Sequence, residues 1–155
     1  MGVPPAELAA ANITLLLKQS LVPILCQDCC LPLPEDRKTQ AEAFFITNDH
    51  HWLRVRNALG CETCTHSYGT EQGRKAWAGY ARMSAVAEMI RPDNTYRKFV
   101  ENYDAIGAED YWLKPIEQGG MGGVPLREKI AALVKSGQVD PFDAIRIAFK
   151  PGERV

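Results

Sequence analysis

The chain has 155 residues, 46% of them hydrophobic and 24% charged, with a formal net charge of −1. That length fits one domain or two very small ones and buries a core without covalent staples. The near-zero charge excludes a general electrostatic attraction to nucleic acid or to an anionic membrane.

The N-terminal run MGVPPAELAAANITLLLKQSLVPILC is apolar, but its first lysine, Lys18, lies behind the apolar stretch, unlike a secretory signal. Asn12, Lys18, Gln19 and Ser20 interrupt it, so it does not read as a membrane span of about 20 apolar residues. The opening Met-Gly lacks the Ser or Thr of a myristoylation motif. We expect a helix over residues 5–21, with Pro5 in its first turn, Leu8, Ala9, Asn12, Leu15, Leu16 and Gln19 on one face, and Pro23 as its stop.

LPLPEDRKTQAEAFF predicts a helix with Glu35 and Asp36 in the first turn and Ala41, Phe44 and Phe45 facing inward. In WLRVRNALG, Trp52, Arg54 and Arg56 alternate with Leu53 and Val55, the pattern of a short strand. HSYGTEQGRKAWAGY is glycine-rich and of mixed charge, and MSAVAEMI predicts the next strand. Pro92 and Asp93 open a helix through DNTYRKFVENY with Tyr96, Phe99 and Val100 inward, and AEDYWLKPIEQ predicts another, bent or stopped at Pro115. After the break at Gly119–Gly123 two helices close the chain. In PLREKIAALVKSG, Leu126, Ile130, Leu133 and Val134 form the inner stripe and Gly137 is the stop. In DPFDAIRIAF, Asp140 is the cap, Pro141 the first residue, and Phe142, Ile145 and Ala148 or Phe149 are buried. The expected fold class is α+β, a small tetracysteine module with a short antiparallel strand element followed by a mainly helical C-terminal bundle.

Of five cysteines, four fall into two Cys-x-x-Cys pairs, Cys26 with Cys29 and Cys61 with Cys64. Two such knuckles complete a tetrahedron of sulfurs about 2.3 Å from one Zn²⁺, with no open position, so the site reads as structural. Residues 30–60 separate the pairs, more than the usual spacer of about 15–20 residues, but closure cost rises slowly with loop length. A redox dithiol fits less well, because LCQDCCLPLP runs into prolines rather than a helix. Cys30 is a possible substitute for Cys29, His66 is a competing ligand, and His50 and His51 read as loop residues. The five thiols and the absence of a recognisable signal suit a reducing cytoplasm.

The residues around the knuckles resemble a family. LLLKQSLVPILCQDC carries Gln19, Leu21, Val22, Leu25, Cys26 and Cys29 in the register Q-x-L-V-x-x-L-C-x-x-C. Ala58, Gly60, Cys61 and Cys64 match a-x-G-C-x-x-C. RMSAVAEMIRPD carries Arg82, Glu88, Met89, Ile90 and Asp93 in a version of G-R-x-G-x-x-E, with Arg82 one position early and Ala85 where the glycine stands. Val134, Gly137, Val139, Asp143 and Ala144 match the late V-x-x-G-x-V-x-x-x-[DE]-A, while GTEQGRKAWAG looks like an insertion. The chain thus resembles the C-terminal region of the ATPases of type II secretion and type IV pilus assembly, and leans toward plasmid or specialised pilus relatives.

The resemblance covers nearly the whole chain but only the final third of such an ATPase. No G-x-x-x-x-G-K-[ST] occurs, so ATP would bind in an N-terminal part outside these residues, and this chain is expected not to be an enzyme. The resemblance implies a connecting helix over 1–24, a zinc module over 25–68 and a strand plus helical subdomain over 69–155. It further implies Arg82 and Glu88 as structural motif residues and packing against an ATPase core and neighbouring subunits of a hexamer. Contact with an inner-membrane platform protein, at the inner face of the cytoplasmic membrane, completes the implied setting. The alternative is a zinc ribbon for nucleic acid or protein interaction built on His50, His51, Trp52, Arg54 and Arg56; the favoured reading expects no nucleic acid.

Overall fold

The structure, a computed structural model, describes residues 13–42, 51–65 and 70–148. Its class is α+β, with seven α-helices and two two-stranded sheets among these residues. In chain order the elements are β1 (Leu16–Leu25), β2 (Leu31–Pro32), a 3₁₀ turn (Glu35–Arg37), α1 (Lys38–Glu42), β3 (Arg54–Val55), α2 (Glu62–Thr65) and α3 (Glu71–Trp77). Then come β4 (Tyr80–Ile90), α4 (Asn94–Glu101), α5 (Ala105–Leu113), a 3₁₀ turn (Ile116–Gln118), α6 (Leu126–Lys135) and α7 (Pro141–Ala148). The chain forms two compact units, one from residues up to Gln19 with Ala87–Leu126, the other from Ser20–Val86 with Arg127 onward.

The expected connecting helix is the main correction. Over its described part the chain is extended, as β1, and pairs with β4. The described leucines of the expected helical face are not the buried ones: Leu15 and Leu16 are 44% and 39% exposed, while Val22 and Leu25 are fully buried. Val22 and Ile24 are β-branched, buried and two residues apart, the strand period. Pro23 is tolerated because each strand of a two-stranded sheet is an edge strand. The start of the expected helix, residues 5–12, lies outside the described residues.

Smaller differences follow the same logic. Leu31 and Pro32 form an antiparallel pair with Val55 and Arg54, a strand the two prolines concealed. Leu53 and Val55 are buried as the alternation predicts. The expected helix after Pro34 is a 3₁₀ turn leading into α1; Ala41 is buried, and Phe44 and Phe45 lie outside the described residues. β4 begins at Tyr80, earlier than expected, and α5 ends at Leu113, before Pro115.

In the second unit Val22, Leu25, Leu53, Val55, Ile130, Val134, Val139 and Ala144 are buried. α6 closes as predicted. Gly137 has φ +70°, and a Cβ there would stand 2.9 Å from the carbonyl oxygen of Trp52. The Asp140 carboxylate accepts the N–H of Phe142 at 2.8 Å and caps α7. The buried side of α7 is not the expected one: Asp143 and Ala144 are inside, whereas Phe142 and Ile145 are half-buried.

In the first unit Asp93 Oδ1 accepts the N–H of Tyr96 at 2.8 Å, and its Oδ2 accepts the Tyr111 hydroxyl at 2.7 Å. That one carboxylate caps α4 and ties it to α5. The N–H of Tyr96, followed by the Tyr111 hydroxyl, holds the Asp93 pKa below its ordinary value against a smaller opposing effect of burial. Glu88, on β4, accepts the N–H of Leu126, the first residue of α6, at 2.7 Å and pairs with Lys18 at 3.3 Å. It therefore fixes a strand to a helix start, where negative charge is favoured. Arg82 is exposed on the same strand.

Two outcomes follow. Glu88→Ala strands the Leu126 N–H and is expected to lower stability by about 1–2 kcal/mol in urea unfolding, with Glu88→Gln milder because its amide oxygen still accepts. The Asp93 contribution is complete above the ordinary aspartate pKa of about 3.9 and is lost as pH falls through the depressed native value. Asp93→Asn, which still caps, is expected to flatten the acid limb of the stability curve while costing little at neutral pH.

Candidate metal centre

β1 delivers the first knuckle. Its last residue is Leu25, and Cys26 follows at the mouth of a turn in which Cys29 and Cys30 both donate their N–H to the Cys26 carbonyl, at 3.3 and 2.9 Å. The second knuckle starts from Gly60, at φ +68°, a conformation open to glycine at no steric cost. A Cβ there would stand 2.9 Å from Thr65 and 3.0 Å from Ala78. α2 then carries Cys64, and Thr65 returns both its N–H and its hydroxyl to the Cys61 carbonyl, at 3.0 and 2.7 Å.

Between them these turns bring Cys26, Cys29, Cys61 and Cys64 together, with all four sulfurs within 4.8 Å of one another. Cys26 Sγ is 3.8 Å from Cys61 Sγ; Cys29 and Cys61 each place their sulfur 3.9 Å from that of Cys64. Such separations are far beyond a disulfide bond of about 2.05 Å, and all five cysteines are free thiols. They match the edge of a tetrahedron of sulfurs about 2.3 Å from a central ion. The cluster can therefore hold a metal ion.

Backbone donors support it. The N–H groups of Cys61 and Gly79 both point at Cys64 Sγ, each at 3.2 Å. Gly79 in turn accepts the Cys26 N–H at 2.9 Å, so one residue touches both knuckles. The sequence reading missed it. The stretch read as an insertion is α3, capped by the Thr70 side chain, and Gly79 turns the chain after it at φ +83°. A glycine just past a helix end was the available signal. Arg56 completes the turn by donating to the carbonyls of Ala78, Lys75 and Ala76 at 2.7, 3.1 and 2.9 Å.

Electrostatics favour a cation. Burial pushes the Cys26 and Cys29 thiols up, whereas the Cys64 N–H draws the Cys61 thiol down to about 7. Four thiolates at this spacing repel one another unless a cation lies among them, so a bound metal displaces protons. Cys30 stands apart, its Sγ directed to the Gln27 carbonyl at 3.8 Å. His50 and His66 lie outside the described residues. Arg54 donates to the carbonyls of His51 and Leu53, at 2.9 and 3.1 Å, so the arginines of the nucleic-acid reading are engaged with backbone.

Fold and cluster together define an α+β chain with a candidate tetracysteine metal centre. No helix among the described residues is long and apolar enough to cross a membrane. No family model matches the chain, and no curated protein matches it significantly.

Gly79→Ala places a Cβ 2.4 Å from the Asn57 carbonyl oxygen at a φ that disfavours it. By displacing a donor to the sulfurs it is expected to weaken metal binding about 10–100-fold in chelator competition. Cys30→Ser, outside the cluster, is expected to leave the affinity unchanged.

Proposed function

We propose that Cys26, Cys29, Cys61 and Cys64 hold one structural Zn²⁺, and that the chain is the non-catalytic C-terminal portion of a hexameric ATPase powering pilus assembly or type II protein secretion. The observation that carries the metal half is that three sulfur pairs stand 3.8–3.9 Å apart, the edge of a tetrathiolate tetrahedron, with all four sulfurs within 4.8 Å of one another. Bound there, zinc supplies a cross-link and no chemistry, since four protein ligands leave no place for substrate. The chain's own part is to aim four sulfurs and two backbone donors at one point.

The family half is supported by which segments are neighbours. β1, with Gln19, Leu21, Val22 and Leu25, runs straight into Cys26 and pairs with β4, which carries Arg82 and Glu88. Glu88 caps α6 at Leu126. Past α6, the Gln138 carbonyl accepts the Leu25 N–H at 2.8 Å. The stretches that carry the resemblance are thus linked by hydrogen bonds. In this reading ATP binds and is hydrolysed on the core that precedes this region, and the partners are that core, its neighbouring subunits and an inner-membrane platform protein. The setting is cytoplasmic, at the inner face of the membrane.

Elemental analysis of protein purified without chelator is expected to give one zinc per chain, and Co²⁺ substitution the visible absorption of a tetrahedral tetrathiolate. Protein that takes up neither ion when its thiols are reduced overturns the metal assignment. For the family, a Walker A sequence is expected upstream in the same reading frame or operon, and its absence sinks that half alone.

A further inference from the structure

Away from the sulfurs, the second unit carries a surface cavity of about 480 Å³ lined by Arg37, Arg56, Arg146, Asp140, Asp143 and Phe142, among others. Its acidic groups are already occupied. Asp140 accepts the N–H groups of Arg56 and Phe142, both at 2.8 Å. Asp143 accepts the Tyr80 hydroxyl at 2.5 Å and pairs with Arg146 through its other oxygen. Every carboxylate oxygen in the cavity wall therefore has a donor.

The basic groups are not used up in the same way. The Arg37 guanidinium lies 3.5 Å above the Phe142 ring and, among the described residues, makes no hydrogen bond. Its planar fork keeps its edge donors available while the ring fixes its plane. Arg146 meets Asp143 through Nη2, and its side chain is 75% exposed. Arg56 uses Nε and Nη2 on backbone carbonyls and has its guanidinium 4.4 Å from the Tyr80 ring centre.

We infer that this cavity binds a carboxylate, presented by an acidic segment of a partner protein. Donors outnumber free acceptors, and guanidinium forks match carboxylate geometry. Three guanidinium groups against two carboxylates leave one net positive charge in the wall, which a single carboxylate balances. A phosphate, at about −1.5 to −2, overfills it. Phe142 and Ile145 add apolar wall for the methylene stem of a Glu side chain. This inference does not depend on the family reading.

The test is titration of isotope-labelled protein at low salt with blocked tetraglutamate, blocked tetraglutamine and inorganic phosphate, followed by nuclear magnetic resonance. Tetraglutamate is expected to shift resonances around the cavity saturably, and tetraglutamine to leave them in place. Arg37→Gln is expected to weaken the peptide about tenfold. Arg37 is exposed, so the variant is expected to stay folded, with at most a small drop in unfolding midpoint from the lost Phe142 contact, which is checked in parallel. Arg37→Lys, which keeps charge but loses the fork, is expected to fall between the two. Three results overturn the inference: no saturable shift, equal effects of the two peptides, or insensitivity to Arg37→Gln. Phosphate binding tighter than the acidic peptide makes the cavity a phosphate site and overturns it as well.

Discussion

The second unit turns on the peptide group at Gly79. Its carbonyl holds the backbone of the first knuckle through Cys26, and its N–H meets a sulfur of the second through Cys64. An unpaired N–H aimed into a buried cluster costs free energy; aimed at a thiolate it offsets charge. The position demands φ +83° and leaves no room for a Cβ beside the Asn57 carbonyl, so only glycine meets both requirements. The neighbouring geometry serves this contact: α3 brings the chain to Gly79, and Arg56 clamps the carbonyls at the end of α3.

Parts of this were legible in the sequence, for a local reason. The two Cys-x-x-Cys pairs, the caps Asp93 and Asp140 and the stop Gly137 all act within a few residues of themselves, and those interactions are written in short spacings. The buried alternation of Leu53 and Val55 is equally local. What could not be read were the long-range choices. Leu16–Leu25 has leucines at helical spacing, and only pairing with Tyr80–Ile90 makes it a strand. The buried side of α7 is set by Asp143, which goes inward because Tyr80 donates to it. A polarity pattern expects such an aspartate outside.

Asp140, the cap of α7, and Asp143, in its first turn, divide the work at one helix start. Asp140 binds backbone, capping its own helix while holding the chain at Arg56. Asp143 binds side chains, accepting from Tyr80 and pairing with Arg146. Burial, with the adjacent Asp143 carboxylate, pushes the Tyr80 pKa up to about 12. The hydroxyl therefore remains a donor through the physiological range, and the inward aspartate keeps its partner.

The order in which these parts occur along the chain also has a meaning for synthesis. All four cysteines of the cluster lie within residues 26–64, whereas Gly79 and Gln138, whose backbone completes the knuckle and the strand leading to it, come later. On a ribosome the thiols emerge together, ahead of α6 and α7, at a stage when the Gln138 carbonyl that accepts the Leu25 N–H is not yet made. An ion captured at that stage would fix the register of two distant turns before the hydrophobic contacts able to do so exist. The four cysteines thus precede in the chain every residue of α6 and α7, and the cluster they form needs neither helix to supply a sulfur.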